Sequence, residues 1–194
     1  SRPLASLLVR LVFRSRITPN HLTVFAFLLA LGSAFLFAMA TSASAIGAAV
    51  LCQLLLIFDC ADGMLARARG TCSRFGSYLD LFLDRISDFL VLLGVTVGFF
   101  RSGGGNKDRL ILGLFVLSLY MLQVVLFYIA NSYLEAKNGE SGEGRAVGIF
   151  YVTLMGILNR LDLFLYGMAV EVAVNPVLRV VSFLRSGRRA ESPL

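Results

Sequence analysis

Several residue types are scarce in this chain of 194 residues, and each scarcity excludes a class of protein. Charged residues make up only 15%, against about 25% in an ordinary soluble domain, whereas hydrophobic residues reach 57%. Three cysteines are too few, and odd in number, for a disulfide framework. The single histidine, His21, argues against a zinc site and an imidazole base. The class that remains is an integral membrane protein with reduced thiols.

Charge is absent from long stretches of the chain. No charged residue occurs between Arg16 and Asp59, which is too long for one membrane span of about 20 residues. The polar run at 41–44 divides this stretch into two. We therefore predict an all-α integral membrane protein with six transmembrane helices. They are placed near 20–40, 44–65, 75–100 and 108–136, with two more in 146–184 that meet at Arg160 and Asp162.

Residues 3–16 are predicted to form an amphipathic helix before the first span. Its leucines repeat at helical spacing on one face, and arginines lie elsewhere, which is typical of a helix lying in the membrane interface. The face consists of Leu4, Leu7, Leu8 and Leu11. The chain is therefore divided into an interfacial helix at 1–17, a six-helix transmembrane domain at 18–185 and a cytosolic tail at 186–194.

The net charge of +6 is distributed unevenly along the predicted topology. Most Lys and Arg residues fall on the side of the two termini, and only four fall on the opposite side. By the positive-inside rule, the termini are predicted to be cytoplasmic, with the basic surface facing anionic lipid and not nucleic acid. The four exceptions are Arg101, Lys107, Arg109 and Arg160.

Four aspartates near the ends of two predicted spans are the most informative feature. Asp59 and Asp62 lie three residues apart in the second span. Asp80 and Asp84 lie four apart in the third, so each pair shares one helix face. If the short basic loop folds the two helices antiparallel, the pairs meet. Because carboxylates in apolar helices are costly, this convergence favours a functional site.

Convergent carboxylates in a low-dielectric site cannot all stay ionised without cations. Oxygen-only ligands suit Mg²⁺ or Mn²⁺. Gly63 follows Asp62, and Gly76 precedes Asp80 by four residues, so a ligand or another backbone can come close there. Arg67 can neutralise a phosphate. These residues together indicate a pyrophosphate-containing substrate bound through metal ions.

Two different roles for the aspartates stay open at this point. A charge-paired structural cluster would need partners, and the carboxylates outnumber the basic residues nearby. A membrane ion or solute pathway also uses intramembrane acids. Such a pathway should distribute polar residues over several spans, whereas here the acids lie at one depth and the first span is apolar.

The pattern Asp-x2-Asp-Gly-x2-Ala-Arg-x8-Gly-x3-Asp-x3-Asp is matched at every fixed position from Asp59 to Asp84. It resembles the signature of the CDP-alcohol phosphotransferase family. Thr-Pro-Asn-x2-Thr at 18–23 and the six-helix layout extend this resemblance over most of the chain. The resemblance implies an enzyme that transfers a phospho-alcohol group, above all a phosphatidyl group, from a CDP-linked donor to an alcohol and releases CMP.

The resemblance also implies roles for individual residues. Asp59, Asp62 and Asp80 would share two Mg²⁺ or Mn²⁺ ions. Asp84 would both touch metal and act as the catalytic base. The residues expected around the CDP moiety are Asn20, Thr23, Gly63, Arg67, Ser73 and Gly76.

Three neighbouring polar residues can be accounted for by ordinary structural roles. Helix capping is an equally good interpretation of Asn20 and Ser73. Asp88 continues the stripe of Asp80 and Asp84 but lies outside the motif, so we expect it to pair with Arg85 or to pack against a neighbouring helix.

The two substrates are less determined. A phosphorylated acceptor, such as inositol phosphate or glycerol phosphate, needs cations beside the metals, and Lys137, Arg145 and Arg179 are the candidates. Positive-inside anchoring accounts for these three residues equally well. The donor is expected to be CDP-diacylglycerol, with a CDP-linked polyol or amino alcohol, for example CDP-inositol, as the alternative.

The resemblance implies a homodimer formed through the third and fourth spans. Gly94 and Gly98 are four residues apart in the third span, a spacing that permits close helix contact. Some family members carry a soluble nucleotidyltransferase domain before an interfacial helix of this kind, so such a domain outside the present chain is a further expectation.

Overall fold

A computed structural model describes residues 2–134, 141–158, 160–172 and 174, with their side chains except at 2 and 127–148. Every regular element in these ranges is a helix, so the predicted all-α class is confirmed. The helices are α1 (Arg2–Val12), α2 (Pro19–Ala38), α3 (Ser42–Arg69), α4 (Arg74–Ser102), α5 (Lys107–Leu134), α6 (Ser141–Ile157) and α7 (161–172).

Three of the described helices are long and apolar enough to cross a membrane. They are α2, α3 and the Lys107–Leu126 part of α5. α4 is as long but carries several charged residues, among them Asp80 and Asp84, and α6 has only 17 residues. The membrane class is therefore supported by the structure, whereas the count of six spans stays a prediction.

α2 lies at the centre of the bundle and packs against both α3 and α4. Its contact with α4 is close because two glycines of α4 face its backbone. A Cβ atom at Gly94 would lie 2.3 Å from the carbonyl oxygen of Ala34, and one at Gly98 would lie 2.2 Å from that of Phe37. The two glycines thus serve a contact within the chain. Their assignment to a dimer interface was wrong, because the face of α4 that carries them is covered by α2.

The loop 70–73 connects α3 to α4. Gly70 ends α3 with a left-handed backbone (φ 64°), which glycine adopts without steric cost. With about 1.5 Å of rise per residue, Asp59 and Asp84 both lie about 15 Å from this loop. Both helices pack on α2, and no close backbone contact joins them to each other among the described residues. Their acidic side chains therefore meet across a gap between the two helices.

α1 packs on the end of α3 that leads into this loop. Ala5 and Val9 of α1 are buried with Ala61 and Leu65 of α3 in a small separate core. Of the predicted leucine face, Leu4, Leu7 and Leu11 are exposed, whereas Leu8 packs partly buried against this small core. The structure thus contains the predicted N-terminal helix, whose amphipathic character and location in the membrane interface stay predictions.

The segment that connects α1 to α2 is hydrogen-bonded to Arg69, which lies in the last turn of α3. Its guanidinium donates hydrogen bonds to four carbonyl oxygens, with Nη2 to the Phe13 oxygen at 2.6 Å. The acceptors are the carbonyl oxygens of Val12, Phe13, Ser15 and Ile17. One side chain thus satisfies the last carbonyl group of α1, at Val12, and three carbonyl groups of the connection that follows it.

Candidate active site

Three of the four predicted aspartates come together in the gap between α3 and α4. Asp59, Asp80 and Asp84 each offer a carboxylate oxygen, and these oxygens all lie within 4.8 Å of one another. All three residues are half-buried. Hard oxygen ligands at this separation are the donor set of Mg²⁺ or Mn²⁺, and a cation would offset the repulsion between carboxylates. The residues present are therefore suited to a divalent cation.

Asp62, the fourth aspartate, lies in a different environment. It is 3% exposed and is not part of the group of three that the described residues form. Its Oδ2 accepts a hydrogen bond of 2.6 Å from the Thr23 hydroxyl, and its Oδ1 accepts one from the Gly63 backbone N–H. Thr23 is itself buried. The predicted metal contact of Asp62 and the predicted CDP contact of Thr23 both stay predictions.

The two motif glycines mark places where polar side chains approach the backbone closely. A Cβ atom at Gly63 would lie 3.4 Å from Nη1 of Arg67, so this guanidinium lies over the glycine. A Cβ atom at Gly76 would lie 3.0 Å from Oγ of Ser73 and 3.2 Å from Oδ1 of Asn20. The structure thus brings five of the six residues predicted for CDP into two sets, Gly63 with Arg67 and Gly76 with Ser73 and Asn20.

Capping accounts for part of this arrangement. Ser73 precedes the first residue of α4, and its Oγ accepts a hydrogen bond of 2.9 Å from the Gly76 N–H. At the start of α2, Thr18 is the N-cap residue and the His21 ring accepts from its backbone N–H. Asn20 lies in the first turn, so capping of α2 does not depend on it. The capping interpretation is therefore confirmed for Ser73 only.

A second polar cluster, which the sequence showed only in part, lies one turn beyond Asp84. Oδ2 of Asp88 is 3.2 Å from Nη1 of Arg85 and accepts a hydrogen bond of 2.9 Å from the Tyr120 hydroxyl. The predicted structural role of Asp88 is thus confirmed. Tyr120 was missed because it belongs to α5, and no spacing in the sequence pairs it with α4.

The family to which this site belongs is decided by comparison with known proteins. The family model of CDP-alcohol phosphatidyltransferase matches residues 16–180. The chain belongs to this family. The matched range contains every residue of the acidic motif and of the predicted CDP sets.

Individual relatives within the CDP-alcohol phosphatidyltransferase family are matched to different extents. Archaetidylinositol phosphate synthase of Pyrococcus horikoshii is 39% identical over 82 residues, which are 42% of this chain and 42% of the relative. Phosphatidylinositol phosphate synthase of Corynebacterium glutamicum is 30% identical over 176 residues, which are 91% of this chain and 74% of the relative. The match thus spans less than half of the first relative and about three quarters of the second.

Crystal structures of Mycobacterium tuberculosis phosphatidylinositol phosphate synthase have the same fold. The structure with CDP-DAG bound superposes with a TM-score of 0.74 at 23% identity, and the match covers 93% of this chain and 92% of that chain. The structure in complex with manganese and citrate gives a TM-score of 0.69 at 23% identity, with 91% and 87% covered. At this level of identity the similarity establishes the fold.

The three candidates for an acceptor site lie beyond the part of the chain whose side chains the structure describes. Lys137 and Arg179 are outside the described residues, and the side chain of Arg145 is as well. Their roles in this family member stay predictions.

Proposed function

We propose that this chain transfers a phosphatidyl group from a CDP-linked lipid, CDP-diacylglycerol, to the hydroxyl group of an alcohol and releases CMP. The observation that carries the proposal is the group of Asp59, Asp80 and Asp84, whose oxygens lie within 4.8 Å of one another. It lies in a member of the CDP-alcohol phosphatidyltransferase family.

The donor pyrophosphate is proposed to bind beside this group. Asp59, Asp80 and Asp84, with Asp62, would hold two Mg²⁺ or Mn²⁺ ions, which when bound supply positive charge to the pyrophosphate oxygens. Arg67 adds a cation from the side of Gly63. Asn20, Ser73 and Gly76 form the second set and are proposed to contact the cytidine end of the donor.

Asp84 is proposed to accept the proton of the attacking alcohol. The alcohol oxygen forms a bond to the phosphorus of the phosphatidyl group, the bond from that phosphorus to the CMP oxygen breaks, and the hydroxyl proton passes to the Asp84 carboxylate. Asp84 lies one helical turn further than Asp80 from the loop 70–73.

Inositol phosphate is the acceptor that we favour. The curated relatives in Corynebacterium and Pyrococcus are named for phosphatidylinositol phosphate and archaetidylinositol phosphate synthesis. Lys137, Arg145 and Arg179 are proposed to bind its phosphate. A CDP-linked polyol such as CDP-inositol as donor is the alternative within the same chemistry. The membrane ion or solute pathway is not favoured, because the chain belongs to a transferase family.

The membrane placement is part of the proposal. α1 lies in the cytoplasmic interface, residues 18–185 form the catalytic domain, and both termini and the active site face the cytoplasm. The homodimer implied by the family resemblance is kept, and a monomeric mass in nanodiscs would contradict it.

CMP release tests the function. The purified protein in nanodiscs is given CDP-diacylglycerol and inositol phosphate with Mg²⁺ or Mn²⁺, and CMP is measured by chromatography. We expect CMP to appear only when both substrates and a cation are present, and to stop with excess chelator. Replacing the donor with CDP-inositol, and the acceptor with glycerol phosphate or inositol, distinguishes the substrate alternatives.

Two variants make the assay specific for the site. Asp59→Asn should abolish CMP release, because it removes one of the three converging carboxylates. Asp162→Asn is the matched control, since the Asp162 side chain is 37% exposed, lies far along the chain and pairs with Arg160 at 3.2 Å. Undiminished turnover in excess chelator, or no CMP from any CDP-linked donor, would contradict the proposal.

A further inference from the structure

The hydrogen bond between Thr23 and Asp62 joins α2 to a carboxylate of α3, whereas Ser33 of α2 contacts a carbonyl oxygen and a thiol. In the Thr23–Asp62 bond the donor and acceptor lie 39 residues apart, both are buried, and the oxygen atoms are 2.6 Å apart. Thr23 Oγ1 is also 3.3 Å from the carbonyl oxygen of Pro19. Since a threonine hydroxyl has one proton to donate, the shorter distance and the charge of the carboxylate assign that proton to Asp62.

Burial makes this bond important for the orientation of the carboxylate. Asp62 is 3% exposed, and its neighbours Ala61 and Leu65 are fully buried in the small core beneath α1. An ionised carboxylate in such surroundings needs donors, because water is excluded. Thr23 supplies one from a different helix, so the direction of the Asp62 carboxylate depends on how α2 packs on α3.

From this geometry we infer that Thr23 is a positioning residue: its hydroxyl holds the Asp62 carboxylate in the orientation from which it completes the acidic cluster of Asp59, Asp80 and Asp84 around a divalent cation. The inference rests on the proposed function, and it replaces the direct contact with CDP that the motif suggested for Thr23. Groups that hold metal-binding side chains in place commonly change metal affinity by about 10- to 100-fold when they are removed.

The test is Mn²⁺ binding in the presence of CDP, measured by the loss of the free Mn²⁺ signal in electron paramagnetic resonance. Thr23→Val keeps the shape of the side chain and removes the donor, and should weaken Mn²⁺ binding by about 10- to 100-fold. Thr23→Ser keeps the donor and should bind within about threefold of the unmodified protein.

Ser33→Ala is the matched control. Ser33 lies on the same helix, is also buried, and donates a hydrogen bond of 3.1 Å to the Ala48 carbonyl of α3. It reports what the loss of any buried α2–α3 hydrogen bond does to folding. We expect its Mn²⁺ affinity to equal that of the unmodified protein.

A double-mutant cycle separates positioning from general support of the fold. If Thr23 acts through Asp62, then Thr23→Val should change Mn²⁺ affinity little once Asp62→Asn is present. Equal losses in both backgrounds would overturn the inference, as would normal Mn²⁺ binding by Thr23→Val or failure of Thr23→Ser to restore it. If the unmodified protein itself bound no Mn²⁺ with CDP, the proposed function would fail instead.

Discussion

At the scale of single residues, Asp80 and Asp84 are expected to differ in role although both belong to the converging group. They occupy adjacent turns of α4, about 6 Å apart along its axis. Asparagine keeps the size of aspartate and one ligand oxygen but cannot serve as a base. We expect Asp84→Asn to lower CMP release by about 10²-fold or more while binding CDP with Mg²⁺ within a few-fold of the unmodified protein. Asp80→Asn should weaken CDP binding as well.

Calorimetric titration with CDP, paired with CMP release on both variants, is the measurement for this pair. Asp88→Asn serves as the control on the same helix, since Asp88 is held by Arg85 and Tyr120. Asp88→Asn should lower the stability of the protein, and it should leave CDP binding and CMP release unchanged relative to each other. If both site variants lost binding equally, Asp84 would be a metal ligand only. Near-normal turnover of Asp84→Asn would show that Asp84 is not the base.

At the scale of helices, the crossing of α2 and α4 is expected to tolerate no side chain at Gly98. A methyl group there would lie 2.2 Å from the Phe37 carbonyl oxygen, and backbone cannot move aside as a side-chain tip can. The gain in helix propensity from glycine to alanine is about 1 kcal/mol, and the cost of overpacking is about 1–3 kcal/mol, with the larger values expected where the obstacle is backbone. The clash should therefore outweigh the gain in helix propensity, and Gly98→Ala should lower thermal stability in detergent.

Gly47→Ala is the matched comparison for this prediction. It gives the same gain in propensity, and its Cβ would meet only the end of the Leu36 side chain, at 3.2 Å. Melting followed by size-exclusion chromatography should show a clearly lower midpoint for Gly98→Ala than for Gly47→Ala. Equal midpoints would mean that α2 and α4 are further apart in the membrane than their close backbone contact implies.

At the scale of the whole molecule, the loop 70–73 and the start of α5 should lie on opposite sides of the membrane, because α4 connects them. Cys72 is exposed in that loop, and Lys107 is exposed at the other end. With the positive-inside assignment, an impermeant maleimide added to cells should leave Cys72 unlabelled until the membrane is opened. Lys107→Cys, made with Cys60→Ser and Cys72→Ser, should be labelled directly. The reverse pattern would invert the proposed topology.

The sequence by itself determined the features that depend on neighbours along the chain. The absence of charge from Arg16 to Asp59 predicted two helices, and the structure contains α2 and α3 there. Helical spacing placed Asp80 and Asp84 on one face, and a short loop placed that face near Asp59. These inferences hold because the period of a helix and the length of a loop are local properties.

Which distant residues meet depends on the packing of the helices and could not be predicted from the sequence. Gly94 and Gly98 have a spacing that permits close packing with any helix, and the chain uses it for α2. Thr23 occupies a motif position, and its spacing along the chain did not show that its hydroxyl bonds to Asp62. Tyr120 on Asp88 and Arg69 on the carbonyls after α1 have no pattern in the sequence. Each of these contacts joins two different elements and depends on how the helices pack. The spacing of residues along one helix does not show which helix lies beside it.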